Sequence, residues 1–213
     1  MQLKIVLFGA VMIASIAVVS PAKAVTTYTS LLAWQADAGS FSRDTSYGTD
    51  STEISTLTLS DGTSFALSPA VEINTVPSSW GTWSGGYTGQ VLFSQGATSV
   101  TGSFSTATSA FGFFSEPNAF TTLLFTLLLS DGSSVSGSFA GQAGAGFLGW
   151  VGPGITSFTI STTDNFAFGD FYSTTAVPAP AVGAGLPALL ALGGFVWARR
   201  RKAIPNGRRN GTS

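Results

Sequence analysis

The sequence predicts a mostly β protein: an antiparallel β-sandwich or jelly-roll-like body with one short N-terminal helix, lying between two apolar terminal segments. Three observations predict it. Along the middle of the chain, β-branched and aromatic residues alternate with Ser and Thr, the pattern of half-buried strands. Turn signals interrupt that pattern about every 8 to 12 residues, the spacing of an all-β sandwich or barrel. The same segment holds Trp34, Trp80, Trp83, Trp150 and many Phe. That supply of large apolar side chains separates it from a disordered Ser/Thr-rich stalk, which has few aromatics and cannot bury a core.

The elements follow in order. Ser30 is placed to cap a helix through Leu31, Leu32, Trp34 and Gln35, which Gly39 stops. Ile54, Leu57 and Leu59 then run into Ser60-Asp61-Gly62, and Phe65 and Leu67 run out. Asp-Gly between alternating apolar residues is a strong hairpin signal. The phrase returns seventy residues later: residues 56–64 and 126–134 agree at seven of nine positions. A hairpin solution used twice explains this better than duplicated halves, because two copies do not make a solenoid. Further strands are expected over residues 89–94, 99–106, 109–115, 120–130, 133–139, 146–151, 157–162 and 165–171. The run 123–129, Leu-Leu-Phe-Thr-Leu-Leu-Leu, is too apolar for a wet face and predicts a central strand.

Charge narrows the function classes. All ten acidic residues lie between Asp37 and Asp170, where Arg43 is the only basic residue; the other cations sit at the two ends. An acidic body of this kind excludes ordinary phosphate-driven nucleic-acid binding, which needs clustered Lys and Arg. With no His and no Cys, Ser-His-Asp triads, Cys nucleophiles and conventional zinc sites are excluded as well.

The ends read as addresses. Residues 1–24 have one early cation, Lys4, a 15-residue apolar run over 5–19, and Ala22-Lys23-Ala24 as a small-x-small cleavage site, with Ala22 and Ala24 the site residues. Against a membrane helix stands its length. Fifteen residues at ~1.5 Å reach ~22 Å, short of a ~30 Å hydrocarbon core. The expected body is then 25–176, exported through signal peptidase. At the other end, Val177-Pro178-Ala179-Pro180 leads into an apolar stretch over 181–198, closed by Arg199, Arg200, Arg201 and Lys202, with a short basic tail over 203–213. Eighteen residues give ~27 Å, barely a transmembrane span, and the basic cluster should stay cytoplasmic. A plain single-pass anchor needs nothing more.

This C-terminal segment, 177–202, resembles the PEP-CTERM sorting signal: a Val-Pro-x-Pro motif, a Gly/Ala/Leu-rich helix and an Arg cluster, in that order. The same signal also goes under the name ice-binding protein C-terminal domain, a name that says nothing about binding ice. The resemblance implies recognition by an exosortase, a membrane transpeptidase-like enzyme of Gram-negative bacteria. It implies a transient inner-membrane anchor, then cleavage near the Pro motif and transfer to the cell surface or the extracellular space. Val177, Pro178 and Pro180 carry over as the recognition element, and Arg199, Arg200 and Arg201 as the stop cluster. Ala179 stands where the family usually has Glu, and the tail is longer than usual. The phrases at 110–114, 146–150 and 165–170 also resemble β-sandwich ectodomains found ahead of this signal, a likeness that implies no activity.

Three candidate sites compete with structural explanations. Trp80, Trp83 and Tyr87 lie on a Gly/Ser-rich stretch where rings can stack on sugar C–H faces; equally, they can cap one end of the core. Among the acidic turn residues, Asp61 and Asp131 are explained by their Asp-Gly turns, which leaves Asp164 and Asp170 as the calcium-ligand candidates. A paired-carboxylate glycosidase needs two carboxyls across a cleft, and Glu53, Glu72 and Glu116 are the glutamates on hand. The reading is therefore an exported, non-enzymatic surface or extracellular-matrix protein that contacts polysaccharide. A self-associating matrix or adhesion protein and a polysaccharide hydrolase are the alternatives.

Overall fold

A computed structural model describes residues 24–174 of the chain. The signal-peptide and sorting expectations, including Ala22, Val177, Pro178, Pro180, Arg199, Arg200 and Arg201, lie outside the described residues. Among the described residues, no helix is long and apolar enough to cross a membrane.

The body is mostly β and antiparallel. Its elements are β1 (Thr26–Tyr28), α1 (Leu31–Ala38), β2 (Ser42–Asp44), β3 (Glu53–Thr58), β4 (Ser64–Thr75), β5 (Gln90–Phe93), β6 (Ser99–Pro117), β7 (Thr122–Leu129), β8 (Ser134–Ala140), β9 (Gly146–Ser161) and β10 (Phe166–Ser173). The ten strands form one hydrogen-bonded sheet, in the order β2-β10-β5-β4-β6-β9-β7-β8, with β1 on β9 and β3 on β4.

Local chemistry accounts for the helix and both hairpins. Ser30 is the N-cap of α1, its side chain accepting from the Ala33 amide, and Gly39 ends the helix with φ of 75°. The β3–β4 and β7–β8 turns share one solution. In each, the Leu59 or Leu129 amide closes onto the carbonyl of residue 63 or 133, at 2.8 and 2.9 Å. Asp61 and Asp131 accept from the amide two residues on, and Gly62 and Gly132 take φ of 89° and 87°. The repeat in the sequence is thus a repeated turn.

Strand extent departs from expectation. The segments expected separately at 99–106 and 109–115 are one strand, β6, and those at 146–151 and 157–162 are one strand, β9. Register shifts between Ser103 and Ala110 bend β6 without ending it, as bulges do. The first half of β6 pairs with β4 and its second half with β10. Likewise β9 pairs with β7 through its second half, and with β1 through its first. The bent strands turn the sheet's two halves toward each other. Phe65 meets Phe171 at 5.7 Å between ring centres and Phe125 meets Phe166 at 5.5 Å, inside one cluster of buried Phe, Leu, Ile and Trp.

The outer surfaces of the two halves differ. Over β1, β9, β6 and β10 the surface is covered. There α1 buries Trp34 against Phe147, Val151 and Tyr172, and Trp34 Nε1 donates to the Trp150 carbonyl at 2.8 Å. Beside it, the segment after β4 buries Val76, Trp80 and Trp83 against Val91 and Ala167. Over β3, β4, β6, β9, β7 and β8 the outer surface is bare. The run 123–129 runs through it, which corrects the expectation of two-sided burial. β7 has strand neighbours on both sides, and Phe125, Leu127 and Leu129 are buried, yet Leu124 and Leu128 are 58% and 48% exposed.

Candidate functional site

Between α1 and the Trp-rich segment, the covering layer leaves a cleft of about 770 Å³. Its walls are Leu31, the first residue of α1, and Trp83 to Gly89; Phe114, Asp170, Tyr172 and Arg43 line the rest. Arg43 is the only Lys or Arg among the described residues, and it sits on the three-residue strand β2, paired directly with Tyr172 of β10.

The guanidinium is fixed in place. Arg43 Nε donates to Asp170 Oδ1 at 2.6 Å and a terminal nitrogen donates to Oδ2 at 2.9 Å. Such a planar fork gives geometric as well as electrostatic definition. The Arg43 side chain is 50% exposed and that of Asp170 only 6%, so Asp170 works from below and Arg43 faces the cleft. The rings of Tyr172 and Tyr87 flank the guanidinium at 5.6 and 5.9 Å, within cation–π range. The Asp170 hydrogen bonds hold the Arg43 guanidinium far above its ordinary range. Burial pushes the Tyr172 phenol up to about 12, and burial also raises Tyr87. Both rings are therefore neutral, and Arg43 charged, at any physiological pH.

Asp170 reaches this position through an unusual backbone. Its φ is 54°, at a register irregularity between Gly169 and Tyr172. Bulges re-aim side chains at functional sites, and Asp tolerates the left-handed region better than most residues. The conformation is supported from below: the Tyr47 hydroxyl accepts from the Asp170 amide at 2.7 Å and donates to the Asp44 carbonyl at 3.0 Å. Burial raises the Tyr47 phenol well above its usual value, which keeps that donor in place. On the opposite wall, Tyr87 donates to the Gln90 carbonyl at 2.6 Å. Gly89 makes room for the ring, since a Cβ there would lie 2.5 Å from the Tyr87 ring and 2.8 Å from the Thr45 carbonyl.

The three aromatic candidates separate. Tyr87 is half-buried and lines the cleft, Trp83 contributes a wall while 5% exposed, and Trp80, 7% exposed, packs on Phe93 with ring centres 5.4 Å apart. Trp80 and Trp83 cap the core, and neither offers a free ring face. Reasoning from the sequence missed Arg43 and Tyr172. A signal for Arg43 was present: a lone cation in an acidic body is surrounded by carboxylates with which it can pair.

The calcium candidates are not brought together. Asp164 is exposed and accepts from the neighbouring Asn165 amide at 2.7 Å, whereas Asp170 is committed to Arg43. Asp164 lies at the bend before β10 and Asp170 is the fifth residue of that strand, six residue steps or at most ~20 Å away. Among the described residues, no three acidic side chains cluster as a metal site. The glutamates lie elsewhere too. Glu53 and Glu72 oppose each other on β3 and β4, outside the cleft. Glu116 is fully buried, with Oε1 accepting from Thr82 Oγ1 and the Ala143 amide and Oε2 without a partner. Burial raises its carboxyl above the ordinary carboxylate range. It clamps the Trp-rich segment to the β8–β9 connection.

Compared with family models and with curated proteins, the chain matches none.

Proposed function

We propose that this is an exported, non-catalytic protein of the cell surface or extracellular matrix whose β-sandwich body binds neutral polysaccharide in the Arg43 cleft. The observation that carries the reading is Arg43 itself, held by Asp170 between the faces of Tyr87 and Tyr172. The half-buried Tyr87 ring suits the C–H face of a sugar and the remaining guanidinium N–H groups suit its hydroxyls, while Tyr172, 4% exposed, serves to position the guanidinium. The ion pair is neutral as a unit, and the body around it is acidic, so an anionic polymer meets long-range repulsion that an uncharged one does not. The non-catalytic reading is supported by the carboxylates: Asp170 alone lines the cleft, whereas glycoside hydrolysis uses two facing carboxyls. Export and exosortase sorting rest on the terminal motifs.

The test is a glycan array probed with the full chain, alongside Tyr87→Ala and Arg43→Lys. We expect binding to neutral oligosaccharides, weakened about five- to thirtyfold by either change, because each removes a stacking face or a forked donor worth about 1–2 kcal/mol. Binding confined to charged glycans, or none at all, overturns the cleft assignment. Release of reducing sugar overturns the non-catalytic part.

A further inference from the structure

The bare outer surface carries a pattern that the cleft does not explain. Over 56–58 of β3, 64–68 of β4, 99–105 of β6, 157–161 of β9, 124–128 of β7 and 134–138 of β8, side chains alternate between core and solvent. Every outward position in these stretches is Ser or Thr except Ala66, Leu124 and Leu128. The strand registers align them in rows. One row runs Ser68, Thr101, Thr159, Leu128, Ser134. The next runs Ser99, Ser161, Thr126, Ser136. Adjacent hydroxyls touch across strands, as in Thr101–Thr159 at 2.9 Å and Thr126–Ser136 at 3.0 Å. No charged residue stands among them, although an ordinary protein surface is about a quarter to a third charged and this body holds ten acidic residues. Asp61, Asp131 and the cross-strand pair Glu53 and Glu72 stand only at the rim, in the hairpin turns, at the start of β3 and in the second half of β4.

We propose that this six-stranded face is a second binding surface, which adsorbs hydrated chains of a neutral polysaccharide. The proposal shares its ligand class with the cleft reading and rests on it to that extent; the surface and the observation are separate. The chemistry of the face selects the occupant. A face without charge gives nothing to a phosphate backbone, an anionic lipid surface or an acidic polymer. Ser is depleted in protein–protein interfaces and Ser, Thr and Leu are poor hot spots, which counts against a second copy or another protein. Hydroxyls donate and accept in any orientation, so they match a partner that is itself a hydroxyl array, and short side chains lose little entropy on contact. Leu124 and Leu128 stand on β7 on either side of Thr126 and set apolar points among the hydroxyls, as C–H faces lie between hydroxyl edges on a sugar ring. Each contact is weak, but the rows repeat every ~4.8 Å across the strands and ~6.7 Å along them, so a repeating polymer engages many at once. The sheet spans ~24 Å from β3 to β8 and turns about 20° per strand. That twist suits chains that follow it one by one and disfavours a rigid planar lattice.

The experiment measures co-sedimentation of the full chain with amorphous cellulose, amorphous chitin and insoluble β-1,3-glucan, together with binding of soluble tetrasaccharides of the same sugars. Two variants alter the face: Ser103→Lys with Ser136→Lys, and Leu124→Ser with Leu128→Ser. The second introduces only residue types already present there, so it guards against a folding artefact. We expect at least one polymer to retain the wild-type chain and both variants to lose about tenfold in adsorption, as when one part of a multivalent contact is removed. Tetrasaccharide binding should stay unchanged, since it reports the cleft. Adsorption without tetrasaccharide binding keeps the face and overturns the cleft. Adsorption equal in wild type and variants, or absent for all three polymers, overturns the face. So does a wild-type dimer in analytical ultracentrifugation that the Leu variant dissociates, because the surface then belongs to a second copy.

Discussion

Replacing Arg43 with Leu removes the fork from Asp170 and leaves a carboxylate whose side chain is 6% exposed. Breaking a fully buried pair costs about 3–5 kcal/mol and losing an exposed one at most about 1 kcal/mol. With the Arg43 side chain half in solvent, water reaches the gap, which puts the loss at about 2 kcal/mol, or ~4–8 °C in Tm for a body of this size. Asp170→Asn keeps a residue that tolerates φ of 54° and leaves a guanidinium free to turn outward, at about 1 kcal/mol. The double variant no longer buries an unpaired charge, so its loss should be about 2 kcal/mol, below the ~3 kcal/mol sum, a coupling of about 1 kcal/mol. Urea unfolding of the four proteins at pH 7 measures the cycle. Additivity within ~0.3 kcal/mol would refute the reasoning, for it would mean that the 2.6 Å contact contributes nothing and that Asp170 is held by Tyr47 and Tyr172 without Arg43.

Three further outcomes are expected. Gly62→Ala and Gly132→Ala should each cost about 1–2 kcal/mol in thermal unfolding and by similar amounts, because both sites have φ near 88° and open space for a methyl group, so only backbone strain is at issue. Glu116→Gln should raise stability at pH 7 by about 1 kcal/mol, since it keeps the acceptor for Thr82 and Ala143 and removes a buried charge. The raised carboxyl of Glu116 makes the folded state bind its proton more tightly than the unfolded chain. Its favourable contribution is therefore complete below the ordinary carboxylate range and is lost as pH rises through the raised value, so the gain from Gln should fade on acidification in a urea series from pH 3 to 7. Gly89→Ala should displace the Tyr87 ring, which a Cβ approaches at 2.5 Å, and weaken oligosaccharide binding several-fold in the array assay, with about 1–3 kcal/mol of destabilisation.

The parts of this structure that the sequence announced are those set by a few adjacent residues. Ser30 and Gly39 bound a helix wherever they flank a periodic run, and Ser-Asp-Gly closes a hairpin from its own side chains. The long strands were not legible, because Gly152, Pro153 and Gly154 read as a turn, whereas in β9 they lie at a bend in a strand that continues pairing on both sides. The leucines of β7 misled for a related reason: a continuous apolar run implies burial on two faces, and nothing in it says that the second face is left open. Arg43 and Asp170 are 127 residues apart. A strand of three residues carries no periodicity to bring them together on paper, and Tyr172, one residue past the strand expected over 165–171, joins the site through its pairing with Arg43.

The body begins and ends close together. Thr27 pairs with Trp150, Trp150 with Phe111, and Phe111 with Ser173, so β1 and the end of β10 are three strand spacings apart, ~14 Å. A short flexible bridge of about six residues spans that distance. The order in which the strands are synthesised is therefore not demanded by their geometry. Residues 25 and 174 can be joined and the chain opened instead at the Asp131-Gly132 turn, giving a body that presents new ends beside the hydroxyl-lined face while every strand keeps its neighbours. A tether added at those new ends would turn that face toward its support, whereas one added at residue 25 or 174 would not, so the pair separates what the surface contacts from where the polypeptide is held.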